Sequence, residues 1–427
     1  MQYFSFVYSC RFVFETMVFC STYKEQRRKR NQRKLDSHHT FTFYDTILAV
    51  NPFEWQTLCD KHNFFLGREY LTLLERLHEP HIKMRYVIVY KKKEPVFAVC
   101  FQVIDFKAQV FGDLVAGQIS ELQSKRLKLF DRYVSKYKDE VIMRLVTCGN
   151  NFVSGEHGFV YDNIKREEAF YLLQKVTTII SKEEKLRGTI SATLVKDFYT
   201  KSLPKEKPLQ ENGFIEFTVE PNMIVKIPHE LKTVHEYVAT FSKKYRNRAK
   251  SIFRSGAGIE KRDLSLEEVK KLNKQIFRLY EHVFDNAKFK LVKAADDYFY
   301  EMKKAFPEDF FITGYFLGEK LVAFDSGYYL HETIEAHYIG FDYSINKEHD
   351  LYQNILYNFI DLSIKHKKKH LNLGRTAAEI KSTVGAKAHE LVCYIKPQNT
   401  VSKIILKPFI SFLQPTEWIP RNPFKEE

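Results

Sequence analysis

The segment Asp309–Lys396 allows few folds. Phe310–Phe316 and Leu321–Tyr329 are two apolar, aromatic-rich runs, separated only by Leu317-Gly318-Glu319-Lys320. So short a gap, with a glycine in it, predicts a strand, a tight turn and a second strand. A third such run, Thr333–Phe341, ends in Asp342. After a polar loop, Leu351–Lys365 is amphipathic at helical spacing. A short strand His370–Gly374, a short helix Ala377–Val384 and a last strand Glu390–Ile395 complete the order. Strands, one helix and a returning strand describe a mixed sheet with a single crossover.

With 427 residues the chain has room for two domains of ordinary size. Its earlier part runs through the same order. Asn51–Cys59 and Glu69–Leu77 read as helices, the first opened by Asn51-Pro52. Arg85–Tyr90 and Val96–Ile104 form a hairpin with a loose loop. Helix Ile119–Tyr137, strand Val141–Cys148, a glycine-bearing loop, helix Lys165–Lys185, strand Thr189–Leu194 and the strand pair Phe214–Val219 and Met223–Ile227 follow. Pro228–Thr240 leads to a run of six cations, Lys243 to Arg254, with no acid among them. Ser265–Phe284 is helical, with Ser265 at its start and Glu267 and Glu268 in its first turn. Asp296–Phe306 is a further helix. The expected fold is α+β, with two tandem units over 41–228 and 229–400, an extension over 1–40 and a tail over 401–427. Each unit is a mixed, mostly antiparallel sheet flanked by helices. The repeat is one of architecture, not of sequence.

The formal net charge is +14. That balance fits a solvated basic face or a polyanionic partner: a phosphorylated cofactor, RNA or a membrane surface. Cys10, Cys20, Cys59, Cys100, Cys148 and Cys393 contain no C-x-x-C pair, which argues against a zinc site. They read as small core residues in a reducing, cytoplasmic compartment. No uninterrupted apolar run reaches the length of a membrane span. Met1–Cys20 is apolar but carries Arg11 and Glu15, and its basic cluster follows rather than precedes it, against the order of a signal peptide. It reads as a disordered or extraneous extension, a short membrane anchor being the alternative.

This element order resembles the GNAT superfamily, the general-control-related N-acetyltransferases. Two units in one chain are similar to the double-GNAT proteins, which include the Fem-type aminoacyltransferases of bacterial cell-wall synthesis. The basic helix Lys243–Arg254 resembles an Arg/Lys-rich element of Fem-like proteins. Gly374-Arg375-Thr376, with Lys381-Ser382-Thr383-Val384-Gly385 after it, resembles their strand-end glycine and Lys-x-x-x-Gly segment. Glu211-Asn212-Gly213-Phe214 resembles the small element before the last strands of many GNAT domains. The resemblance covers Phe41–Pro397. It implies acyl transfer from acetyl- or another acyl-coenzyme A to an amine, an amino sugar or a cell-wall precursor, without a metal. It implies as alternatives a Fem-like enzyme that uses charged transfer RNA, and a non-catalytic GNAT-fold binding protein.

Acyl transfer to an amine requires the donor's phosphates to be held, the carbonyl oxygen polarised and the amine kept neutral. The second unit has Tyr343–Asp350 where the family carries its phosphate loop, with acids and no glycine. The first unit has Gly149, Asn150, Ser154, Gly155, His157 and Gly158, a set that lets backbone approach a phosphate or simply forms a flexible loop. Lys243, Lys244, Arg246, Arg248 and Lys250 are candidate anion or RNA contacts. Arg375 and Lys381 fall where the resemblance places cations near the transfer centre, as oxyanion stabilisers. Asp325, sharing a strand face with Ala323 and Gly327, is a candidate base or amine-orienting group. His337, on a face with Glu335 and Ile339, is a candidate proton relay.

Overall fold

The computed structural model describes residues 32–59, 63–107, 142–287, 292–400, 402–403, 410–411 and 413–425. The extension before residue 32, with Cys10 and Cys20, and the expected helix Ile119–Tyr137 lie outside the described residues. The strands are β1 (Arg33–Lys34), β2 (His39–Tyr44), β3 (Ile82–Lys91), β4 (Glu94–Lys107), β5 (Ile142–Cys148), β6 (Phe159–Tyr161), β7 (Ala192–Tyr199), β8 (Ile215–Lys226), β9 (Glu260–Asp263), β10 (Phe310–Leu317), β11 (Lys320–Tyr329), β12 (Thr333–Phe341), β13 (His370–Asn372) and β14 (Lys387–Pro397). The helices are α1 (Pro52–Cys59), α2 (Arg68–His78), α3 (Arg166–Arg187), α4 (Pro208–Glu211), α5 (Val234–Ala239), α6 (Lys243–Ser255), α7 (Leu266–Asp285), α8 (Tyr298–Ala305), α9 (Tyr343–His349), α10 (Leu351–Lys365) and α11 (Ala378–Ser382).

The strands join into one 14-stranded sheet, in the order β1-β2-β3-β4-β5-β7-β14-β8-β13-β12-β11-β10-β9, with β6 on β4. Both halves use the same local plan. In the first, the antiparallel hairpin β3–β4 is followed by β5, and α3 returns the chain to β7, parallel to β5. In the second, hairpin β10–β11 is followed by β12, and α9–α10 return it to β13, parallel to β12. The last strand, β14, does not stay beside β13. It inserts between β7 and β8, while β8 pairs with β13.

Local chemistry explains the hairpins. The β10–β11 turn has Gly318 at φ 59, a conformation glycine adopts without steric cost. The β3–β4 connection is tighter than the loose loop expected. Lys92 and Lys93 both take left-handed φ, 51 and 73, as a two-residue turn matched to strand twist requires. The expected pair Phe214–Val219 and Met223–Ile227 is one strand, β8, because a register shift opposite His389–Leu391 accommodates Pro221. Ser265 and Glu268 close a reciprocal capping box on α7, a feature contributing about 1 kcal/mol.

The halves also share a core. Phe65 lies edge-on to Tyr328 with ring centroids 5.1 Å apart, and Arg76 of α2 pairs with Glu301 of α8. The other face of the first-half sheet is covered by α3, with Val146, Val195 and Phe198 packed in one cluster with Phe170, Leu173 and Val176. Cys59, Cys100, Cys148 and Cys393 are buried, and none of the four is in a disulfide. No helix among the described residues is long and apolar enough to cross a membrane.

Candidate active site

Strand alternation puts Ala192 and Leu194 of β7 toward an open face, and Val195 toward α3. The alternation then breaks. Phe198 pairs with Val392 and Val195 with Tyr394, so Lys196 and Asp197 together stand opposite Cys393. This is a β-bulge, and Asp197 takes φ 64 to form it. A left-handed backbone at a non-glycine residue is strained, and such strain concentrates at functional sites. The bulge turns two consecutive charged side chains to the same side.

Both side chains are buried. Lys196 Nζ lies 2.7 Å from Asp197 Oδ2 and donates to the carbonyl oxygens of Asn150 (2.7 Å) and Val153 (3.1 Å). From the second half, Arg375 Nη1 donates to Asp197 Oδ1 at 3.1 Å, and Cys393 Sγ lies 3.4 Å from the same oxygen. Burial alone raises a carboxyl pKa. At Asp197 the charges of Arg375 and Lys196 outweigh it and hold the group below the usual carboxylate range. Burial pushes the Lys196 ammonium down, against the pull of Asp197.

Arg375 is carried on a strained turn. Gly374, Thr376 and Ala377 have φ of 69, 67 and 49. Lys381 holds that turn from inside, with Nζ donating to the carbonyls of Leu373 (2.7 Å), Gly374 (3.3 Å) and Arg375 (2.6 Å). An ammonium has three protons, and all three are engaged here. Burial pushes Lys381 down to about 7, against the pull of the Glu220 charge. Lys381 is therefore a positioning residue for Arg375, and the expected oxyanion role for it is corrected.

The cluster opens on a cleft of about 980 Å³, at the upper end of the range for ligand sites. One wall is the sheet face with Met143, Leu145, Leu194, Phe217 and Val219. Val283 and Phe284 of α7, Tyr338, Tyr343 and the tail residues Pro415–Trp418 line the rest. Both halves contribute, and Lys196, Asp197 and Arg375 are on its surface.

The other expected site residues lie elsewhere or serve packing. Asp325 is fully buried between sheet and α10, accepting from Tyr315 OH at 2.6 Å and Asn358 Nδ2 at 2.9 Å. Burial raises its pKa to about 6. It does not line the cleft, so the role of base or amine anchor is corrected to a core carboxyl. His337 accepts from or donates to Tyr298 OH at 2.8 Å among Phe310 and Tyr328, and burial pushes it down to about 3, which leaves it neutral. A register shift near His337 turns Ile339 to the opposite face, and Glu335 bonds Asn372 at 2.8 Å instead of His337. The relay is corrected to two separate buried groups. Burial raises Glu335 to about 8.

The first-half loop does reach the cluster, through Asn150. Its glycines, however, allow close packing. The bare Cα of Gly149 makes room for the Lys196 stem, and a Cβ at Gly158 would lie 2.9 Å from Cys148 Sγ. The amides of Asn151, Phe152 and His157 already donate to Gln102, Asn150 and Gly155. Ser154 Oγ donates to Asn222 at 2.6 Å, and His157, pushed down to about 4 by burial, contacts Asn63 at 3.0 Å. Gly155 is left-handed at φ 117 and sits against His157. The loop leads into β6, not into a helix. The expected phosphate cradle is thus corrected to a packing loop. In the second half the expected polar loop is α9, whose start is capped by Asp342. Asp350 stands at the start of α10 and accepts from Ser255 Oγ at 2.7 Å.

On α6, Lys243, Lys244, Arg248 and Lys250 are exposed, and Ala249 and Ile252 anchor the helix. No acidic side chain pairs with these four among the described residues. Arg246 differs: it is half-buried and donates to the carbonyl of Phe241 at 2.8 Å. No three of His, Cys, Asp and Glu converge as metal ligands among the described residues.

Lys196 and Asp197 were not legible as site residues. The signal was there, in two adjacent opposite charges between Leu194-Val195 and Phe198-Tyr199.

No protein-family model matches the chain, and no curated protein matches its sequence. Its structure is similar to the crystal structure of FemX, with a TM-score of 0.51 and 10% identity over 84% of this chain and 98% of that one. A tandem GNAT protein from the clavulanic acid biosynthesis pathway aligns over 84% of this chain and 99% of its own, at 8% identity and a TM-score of 0.47. The likeness to FemX shows the fold alone, an α+β architecture shared with that protein.

Proposed function

We propose that the chain is a GNAT-type acyltransferase that moves an acyl group to an amine within the cleft between its halves. The acceptor is a small amine, an amino sugar or a cell-wall precursor. One observation carries the reading: a strained bulge and a strained turn, from opposite halves, bring Lys196, Asp197 and Arg375 together on the wall of a cleft large enough for a substrate. Folds sustain such strain where a constellation must be held before the substrate arrives.

For the donor, a specific observation favours charged transfer RNA over a coenzyme A thioester. Carboxylates stand at the starts of α9 and α10, and three amides of the first-half loop are engaged within the protein, which disfavours a diphosphate at either place. The four acid-free cations on α6 suit a polynucleotide backbone.

Thermal-shift titration with acetyl-coenzyme A, a long-chain acyl-coenzyme A and charged transfer RNA, followed by transfer assays on amine acceptors, tests both points. Stabilisation by transfer RNA, lost on replacing Lys243, Lys244, Arg248 and Lys250 by Ser, is expected. A response to thioesters alone reinstates the coenzyme reading. Failure of every donor to stabilise the protein or to acylate an amine overturns the transferase.

A further inference from the structure

The cleft pairs one under-used cation with an apolar wall. Lys196 neutralises Asp197 at 2.7 Å. Arg421 pairs with Glu379 at 2.5 Å, Glu220 lies in the field of Lys381, and Glu417 is solvated at the exposed tail. Arg375 is what remains. A guanidinium has five N–H donors, and among the described residues only one bond to a side chain is made, to an Asp197 that Lys196 already balances. Its side chain is 33% exposed, open to the cleft and pinned at both backbone and tip. A cation with unengaged planar donors selects a two-oxygen anion, carboxylate or phosphate, that accepts from it in parallel.

The sheet wall beside Arg375 sets the rest of the ligand. Alternation puts Met143, Leu145, Leu194, Phe217, Val219 and Ile395 on one side of four adjacent strands, with no charged side chain among them. Water against such a surface is displaced favourably by a hydrocarbon, at roughly 25 cal/mol per Å² of apolar area covered. We infer that the cleft binds an anionic amphiphile, a single apolar chain along this wall with its terminal carboxylate or phosphate on Arg375. As a statement about substrate, this rests on the transferase reading; as a statement about binding, it does not.

Trp418 borders the cleft, while Trp55, the other of the chain's two tryptophans, is buried in the core between α1 and β3. Indole fluorescence of the full chain therefore reports occupancy without any acyl donor. The probes are dodecanoate, dodecyl phosphate, dodecanol and dodecyltrimethylammonium, each below its micelle concentration, with hexanoate for chain length. Saturable binding of one or both anions is expected, and which of the two binds more tightly identifies the head group. Hexanoate should bind at least tenfold more weakly than dodecanoate. Arg375→Gln should weaken the anions at least tenfold. Ala192→Trp, which fills the wall, should abolish the advantage of the longer chain. Equal affinity for dodecanol or the cation overturns the assignment, as does an Arg375→Gln protein that folds and binds as the parent does. If that variant does not fold, the head-group series on the parent protein decides alone. Anion binding without acyl transfer sinks the transferase and leaves this site; transfer without anion binding does the reverse.

Discussion

Arg375 Nη1 meets Asp197 Oδ1 at 3.1 Å across 178 residues of sequence. The contact closes the seam between the halves on the same carboxylate that balances the buried Lys196. Removing that carboxylate leaves one ammonium without its counter-charge in the interior and one guanidinium beside it. Breaking a buried pair in this way costs about 3–5 kcal/mol. Asp197→Ala should lower stability by that order in urea unfolding. Arg375→Gln should cost less, because the Asp197–Lys196 pair survives it. The sign with pH is set by Asp197, whose pKa is lowered in the folded state. Its contribution is complete above the ordinary carboxylate range, near 4, and is lost as pH falls through the depressed value. Asp197→Asn should remove that part of the acid limb. An unchanged limb in the variant would refute the assignment.

Asp325 gives the opposite slope. Burial raises it to about 6, above its unfolded value near 4. Below pH 4 both states hold the proton. Between 4 and 6 the folded state keeps a proton that the unfolded state releases, so stability falls as pH rises, and the loss is complete above 6. That difference corresponds to about 3 kcal/mol. Asp325→Asn should therefore gain on the parent between pH 4 and 6 in urea midpoints and hold that gain at pH 7. Its acyl-transfer rate should match the parent's. A rate loss beyond tenfold in the folded variant would return Asp325 to the chemistry.

What could be read in advance was periodic or punctuated. The hairpin β10–β11 followed from strand-like runs around Gly318-Glu319, and α7 from its apolar spacing and Ser265. Asp325 stands out in the sequence as a carboxyl in an apolar strand, but alternation cannot say that α10 covers its face. Lys196-Asp197 ended the expected strand at Leu194, because adjacent charges look like a boundary. Only the insertion of β14 beside β7 makes them a bulge opposite Cys393. That pairing joins residues about two hundred positions apart, beyond any local pattern. Gly149 and Gly158 were visible, but their use as packing space for Lys196 and Cys148 depends on neighbours distant in space or across the loop.

Lys381 tests whether the turn needs its internal prop. Lys381→Met keeps an unbranched stem of similar length and removes three donors. Three carbonyls then lose a charged partner in a buried place, at a cost on the order of 2–4 kcal/mol. The strained Thr376 and Ala377 should relax with it, so that Arg375 is presented less uniformly. The expected result is lower thermal stability together with weaker dodecanoate binding in the folded fraction. Unchanged binding with lowered stability would confine Lys381 to packing.

The basic helix α6 divides by burial, and the division has a measurable consequence. Lys243, Lys244, Arg248 and Lys250 face solvent, whereas Arg246 donates to the carbonyl of Phe241 near the start of the helix. If the four exposed cations contact phosphates, each releases counterions on binding, and log affinity falls with log salt by about 0.7–0.9 per contact. Replacing all four by Ser should flatten that slope by roughly 3–4 in transfer RNA titrations, with little change in melting temperature, since exposed charges contribute little to stability. Arg246→Ala should do the reverse: it removes a helix-end hydrogen bond of about 1 kcal/mol and leaves most of the salt slope in place. A slope unchanged by the fourfold variant would move the polynucleotide contact off α6 and withdraw the charged transfer RNA reading of the donor.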